Sequence, residues 1–163
     1  MTNLYFLRHG HAHDRDEWKT QNDELRPLTT EGIAAMRQEA IVLRHLQPDF
    51  TAIVTSPLVR ARETADIIHT LFPDLPITED ALLKPGFGLK ALEKVLKQHD
   101  GHESLLLVGH EPDFSAVISD MIGGGRVTMK RGGMARVKLA SKEKLRGDLI
   151  WLITPSVFRA AED

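Results

Sequence analysis

Two apolar runs constrain this chain more than any other feature. Leu4-Tyr5-Phe6-Leu7 and Leu105-Leu106-Leu107-Val108 are too short for ordinary helices and show no alternation of polar and apolar residues. Both faces of each run are therefore covered, as in the interior strands of a parallel sheet. The segments between them supply the cover. Thr29 or Thr30 can cap a helix with Glu31 in its first turn, and Ile33, Met36, Ala40 and Leu43 then fall on one face. Ala52-Ile53-Val54 is a brief strand. Ser56 then reads as an N-cap with Pro57 at the first helical position, and Leu58, Ala61, Ala65, Ile68 and Phe72 continue at helical spacing. Pro73 to Pro76 breaks the chain, Ile77-Thr78 is a short strand, and Leu89, Leu92, Val95 and Leu96 mark an amphipathic helix. A helix from about Asp113 to Ile122 follows the second run. Ala135 to Leu139 and Leu149 to Thr154 are closing strands, with room for at least one to be antiparallel. Strands alternating with helices in this way predict a three-layer α/β/α sandwich with a mostly parallel central sheet of about six strands.

The chain has 163 residues, 42% of them hydrophobic, and no internal repeat or linker, so a single domain over residues 1–163 is expected. A formal net charge of −2 gives no global basic field for nucleic acid or an anionic membrane surface, and neither is expected as a partner. Any anion site has to be built locally. The absence of cysteine excludes disulfides, thiolate zinc sites and a cysteine nucleophile. No leader pattern is present and nowhere do about 18 apolar residues run together, so a cytoplasmic location is expected.

Both apolar runs finish in polar residues: Leu7 leads into Arg8-His9-Gly10, and Val108 into Gly109-His110-Glu111-Pro112. Ligands of open parallel sheets bind beyond the carboxyl ends of the strands. The strand at Ala52-Ile53-Val54 places Arg60 and Arg62 in the first turns of its helix, and a helix N-terminus favours anions. If these strands are neighbours, two imidazoles and two or more guanidiniums collect at one edge of a nearly neutral protein. That is a phosphate site. A guanidinium donates two parallel hydrogen bonds to a tetrahedral anion and keeps its charge at neutral pH. An imidazole with an ordinary pKa of about 6.5 is substantially neutral at pH 7 and can attack without a metal or a base.

Leu7-Arg8-His9-Gly10, Ser56-Pro57-Leu58-Val59-Arg60-Ala61 with Thr64-Ala65, and Val108-Gly109-His110 together resemble the histidine phosphatase superfamily, which includes the cofactor-dependent phosphoglycerate mutases. The short chain and Arg26-Pro27-Leu28-Thr29-Thr30-Glu31-Gly32 resemble its small bacterial phosphohistidine phosphatase branch. The resemblance implies a phosphoglycerate mutase-like fold and a phosphatase without a cofactor. It implies that His9 attacks phosphorus and is transiently phosphorylated, while Arg8, Arg60 and His110 hold the phosphoryl oxygens. Of the two arginines on the second helix, the family pattern selects Arg60, whereas spacing alone leaves Arg62 as a competitor. Arg26 is either a further phosphate ligand or a surface arginine before a proline.

Many members of the superfamily carry a carboxylic acid after the third strand, where it protonates the leaving oxygen. Here that stretch reads Leu82-Leu83-Lys84-Pro85-Gly86. Glu79 and Asp80 lie a few residues early, and Asp14, Asp16 and Glu17 follow the first strand. An alkoxide leaving group, with a conjugate acid near the water value of about 15.7, depends strongly on such an acid. Phosphohistidine does not, because a ring protonated on its second nitrogen leaves as neutral imidazole, whose conjugate acid has a pKa of about 6.5. The expected substrate is therefore phosphohistidine in a protein, with a small phosphorylated metabolite as the alternative.

Two other classes compete. His9, His11 and His13 alternate after a strand as metal ligands do in some hydrolases, although Arg8 would set a fixed cation beside the ion. The same side chains could also bind phosphate without turning it over. His45, His69, His99 and His102 have no partner motif and are expected to be structural or surface residues. Gly123-Gly124-Gly125 and Gly132-Gly133 flank Arg126, Lys130 and Arg131 without P-loop spacing. They read as turns whose cations could help to dock an acidic partner.

Overall fold

The computed structural model describes residues 3–161. Its strands are β1 (Asn3–Arg8), β2 (Ala52–Thr55), β3 (Ile77–Glu79), β4 (Ser104–Gly109), β5 (Met134–Ser141) and β6 (Arg146–Ile153). Its helices are α1 (Thr30–His45), α2 (Val59–His69), α3 (Leu89–Gln98), α4 (Asp113–Met121) and α5 (Pro155–Ala160). Single 3₁₀ turns lie at Asp23–Leu25 and Ala81–Leu83.

The six strands form one sheet in the order β3-β2-β4-β1-β5-β6. β1, β2, β3 and β4 run parallel, β5 is antiparallel to β1, and β6 is antiparallel to β5. One strand is thus reversed, and the mostly parallel sheet expected from the pattern is what forms. The apolar runs occupy the two middle positions, and alternate residues of each enter different layers. Leu4, Phe6, Leu105 and Leu107 pack with Leu92, Val95 and Leu96 of α3 and Phe114, Val117 and Ile118 of α4. Tyr5, Leu7, Leu106 and Val108 pack with Met36, Ala40 and Leu43 of α1, Ala61, Ala65 and Ile68 of α2, and Phe158 of α5. Truncation of such a fully buried leucine to alanine costs about 2–5 kcal/mol.

Thr29 caps α1, its side chain accepting from the Gly32 N–H. The expected cap of α2 does not form. Leu58 is the N-cap residue, and no side chain among the described residues caps that helix. The Ser56 N–H donates to the Val108 carbonyl at 2.9 Å, prolonging the sheet ladder. Ser56 is therefore still part of the strand edge, and its hydroxyl points to another task.

Register places the site. Arg8 pairs with Gly109, and Thr55 pairs with Val108. The residues after β1, β4 and β2, namely His9, His110 and Ser56, therefore emerge side by side at one edge. The turn after β1 is crowded as well as close: a Cβ at Gly10 would lie 2.6 Å from Met36 Cγ. Gly132, at a φ of +77° that L side chains rarely adopt, donates its N–H to the carbonyls of Arg8 and His9 and clamps the same turn from the other side.

Candidate active site

His9 is buried at 8% exposure. Its Nδ1 lies 2.8 Å from the Gly10 carbonyl oxygen. A carbonyl can only accept, so Nδ1 carries the proton and the neutral ring presents a lone pair at Nε2. Burial pushes the imidazole down to about 3; the Gly10 contact opposes this, and the charges of Arg60 and Arg8 with neighbouring His110 add to it. A neutral ring protonated at Nδ1 keeps the lone pair of Nε2 free without the help of a base.

His110, 3% exposed, stands beside it with ring centroids 5.3 Å apart. Its Nε2 is 2.7 Å from Ser56 Oγ. That is the task of the missing cap. The Nδ1 atom of His110 is buried and has no partner among the described residues. Burial, with Arg60 next in weight, pushes this imidazole down to about 4.

Arg60 leaves α2 with only 2% of its surface exposed. Its Nη1 donates to the Asp23 carbonyl at 2.9 Å and its Nη2 to Asp23 Oδ2 at 3.2 Å, while the buried Nε has no partner among the described residues. Arg26 is also buried, at 8%, which removes the surface reading. Its Nε donates to Asp23 Oδ1 at 2.9 Å and its Nη1 to the His13 carbonyl at 2.7 Å. Arg8 donates from Nη1 to the Met129 carbonyl at 2.8 Å, and its buried Nε likewise has no partner among the described residues. Arg62 points away. It pairs with Asp66 at 2.9 Å and with Glu79 at 3.3 Å, toward the β3 edge.

One hydroxyl ties two parts of the site together. Thr64 Oγ1 accepts from the Gly10 N–H at 3.0 Å and donates to the Arg60 carbonyl at 2.8 Å. It thereby couples the turn that carries His9 to the helix that carries Arg60. The loop before α1 is held to the same helix, since Glu63 Oε2 accepts from the Leu28 N–H at 2.7 Å.

The carboxylates considered from sequence are engaged elsewhere. Glu79 pairs with Arg62, Asp80 caps the 3₁₀ turn by accepting from the Leu82 N–H at 2.8 Å, and Asp14, Asp16 and Glu17 are exposed. A carboxylate that does enter the site is Asp23, which sequence reasoning missed. Its partial burial raises its pKa, but the Arg26 hydrogen bond and the charges of Arg60, Arg26 and Arg15 outweigh this and hold it below the usual range. The alternating histidines also part company. His11 is exposed with Nδ1 at 2.7 Å from Arg131 Nη1, and the His13 ring lies against Trp18 at 6.2 Å. Among the described residues no three His, Asp or Glu side chains gather as a metal-holding group.

These features agree with the comparisons to known proteins. A family model described as the histidine phosphatase superfamily (branch 1) matches residues 4–85. An uncharacterized protein of Picosynechococcus is 36% identical over 138 residues, covering 80% of this chain and 81% of that one. The phosphohistidine phosphatase SixA of Escherichia coli K12 is 25% identical over 98% of both chains. A structure of the protein histidine phosphatase SixA complexed with tungstate superposes with a TM-score of 0.81 at 24% identity, covering 95% of this chain and 98% of that one. The chain belongs to the histidine phosphatase superfamily, with relatives of matching length in its small phosphohistidine phosphatase branch. The mutase-like sheet anticipated from the motifs is shared with that structure.

Proposed function

We propose that this single-domain protein is a metal-independent phosphatase that removes phosphate from phosphohistidine in a protein, through a phosphoryl intermediate on Nε2 of His9. One observation carries the reading. Three buried donors around His9, on Arg8, Arg60 and His110, lack partners among the described residues, and a buried unpaired donor in a native site calls for a ligand that completes it. A phosphoryl group offers the acceptors they require.

In the proposed cycle Nε2 of His9 attacks phosphorus, and the P–N bond of the substrate breaks with its electron pair returning to the leaving ring nitrogen. Arg8, Arg60 and Arg26 stabilise the charge on the transferring oxygens, as phosphoryl transfer requires. With the Ser56 hydroxyl as the donor to Nε2 of His110, the proton of that ring sits on Nδ1 and makes it a further donor. Water then attacks the phosphorylated His9, releasing inorganic phosphate and the neutral imidazole. No step needs a carboxylic acid. Asp23, held ionised by its arginines, has no proton to give at neutral pH, so it could not assist a leaving alkoxide. Preference for a leaving group that departs without a proton follows from this.

A substrate panel tests the proposal. Phosphohistidine peptide is expected to be hydrolysed with a kcat/KM at least about 100-fold above that of a simple alkyl phosphate, a ratio matching the usual contribution of general acid catalysis. Chelator is expected to leave both rates unchanged. Equal efficiency on the two substrates would show that a proton donor is present and would overturn the substrate assignment.

A further inference from the structure

Beside the phosphoryl pocket lies a second concavity, of about 480 Å³, that the proposed chemistry does not use. Arg8 forms part of its wall, together with Lys130, Arg131, Thr154, Pro155, Ser156 and Arg159. Four of these seven side chains are cationic and none is anionic, in a chain of net charge −2. The structure also sorts the glycine-flanked cations. Arg126 lines a different depression beside α4, whereas Lys130 and Arg131 meet Arg8.

The field of Glu111, whose carboxylate is held by Ser115, reaches Arg8, but the rest of the charge here has no ion-pair partner among the described residues. Among the described residues, no carboxylate lies within ion-pair distance of Arg8, Lys130 or Arg131. The side-chain bond of Arg131 runs to Nδ1 of His11, which is not an anion. Glu39, whose field reaches Arg159, is buried, and that burial pushes its carboxyl up to about 8, so it is largely uncharged at neutral pH. The lining holds two hydroxyls and one proline but no aromatic ring, so it offers no stacking surface to a base or a sugar face. Lys130 and Arg131 are exposed at the rim, where they can meet a carboxylate projecting from another surface.

We propose that this concavity is a carboxylate-recognising subsite, which takes an acidic side chain of the protein that presents phosphohistidine to His9. The inference rests on the phosphohistidine reading above and adds a rule for choosing among phosphoproteins. Arg8 joins the two compartments. One wall residue faces the phosphoryl group and the acidic determinant together, so the subsite favours a carboxylate close to the phosphohistidine.

The test uses the full chain and a Lys130→Gln/Arg131→Gln variant, neither residue having a place in the proposed chemistry. Two phosphohistidine peptides are compared, identical except that two glutamates beside the histidine are replaced by glutamine. The wild-type protein is expected to prefer the acidic peptide by about tenfold in kcat/KM, the equivalent of two modest ion pairs. The variant is expected to treat both peptides alike, with p-nitrophenyl phosphate hydrolysis within twofold of wild type and an unchanged thermal midpoint. Equal losses on both peptides, or no preference by the wild type, would overturn the subsite. If p-nitrophenyl phosphate is hydrolysed but neither peptide is, the phosphohistidine reading fails by itself. The subsite is then judged by the unphosphorylated peptides as inhibitors of p-nitrophenyl phosphate hydrolysis. Stronger inhibition by the acidic peptide, lost in the variant, supports it, and equal inhibition overturns it. A phosphorylated hydroxy acid showing the wild-type preference while the peptides do not would assign the cations to a metabolite and overturn the protein assignment.

Discussion

The two compartments that meet at Arg8 are built from similar side chains in opposite surroundings. On the inner side, His9, His110, Arg26 and Arg60 are each at most 8% exposed, and their positions are fixed by the ends of three strands, one helix and the Asp23 carboxylate. On the outer side, Lys130, Arg131 and Arg159 stand at an exposed rim on a loop and a short C-terminal helix. Low dielectric and fixed geometry make charge effective in a transition state, whereas exposed, adaptable cations steer and select. The difference is what the proposed division, chemistry in one compartment and recognition in the other, calls for. It also explains why burial depresses both histidines inside.

The largest effect should follow from removing an inner cation. Arg60→Ala is expected to lower kcat by about 100- to 1000-fold, the usual result of deleting one preorganised donor, measured on p-nitrophenyl phosphate so that the outer compartment is not engaged. A loss confined to KM would place Arg60 with the recognition residues and erase the contrast. Asp23→Asn should have an intermediate effect. It keeps an acceptor for Arg26 and Arg60 but removes the charge, and a fall of about tenfold is expected on every substrate alike. A selective loss on alkyl phosphates would instead make Asp23 the proton donor.

The smallest effect on activity is expected at Glu39, which lies behind the outer compartment near Gly132 and Arg159. Its folded pKa is raised to about 8 from the ordinary 4.5, so the stability it contributes is fully present below pH 4.5 and is lost as pH rises through 8. Glu39→Gln should therefore raise the thermal midpoint at pH 9 more than at pH 5, with turnover within twofold of wild type. His9 and His110 have depressed values of about 3 and 4, and their sign is opposite. Their contribution is fully present above about 6.5 and is lost as pH falls through those values. Thermal melts of Glu39→Gln from pH 3 to 9 should leave the acid limb intact and flatten the alkaline one. A Glu39→Gln melt with the wild-type pH dependence would contradict the assignment of that limb.

Much of the inner compartment was legible in the sequence because its parts are local to strand ends. Two apolar runs finishing in Arg8-His9 and Gly109-His110 fix where the imidazoles emerge, and Thr29 caps α1 as its position demands. What could not be read depends on contacts between distant segments. Ser56 looked like a helix cap because its local pattern fits one, yet its hydroxyl meets His110, 54 positions away. Asp23 sits in a polar stretch with no periodicity, and only the folded loop brings it to Arg60, 37 positions on. The Asp23-x-x-Arg26 spacing was its one visible trace. The outer compartment joins residues near 8, 131 and 159, and the glycine-flanked cations gave half of it without Arg159.

The most direct test of the central claim is acid-labile labelling of the protein during turnover. The full chain is mixed briefly with a ³²P-labelled phosphohistidine peptide, quenched in alkali to preserve phosphoramidates, digested and mapped. Label is expected on the peptide containing His9, and none in His9→Ala, whose hydrolysis should fall to background. Label on another residue, or full turnover by His9→Ala, would contradict the central claim.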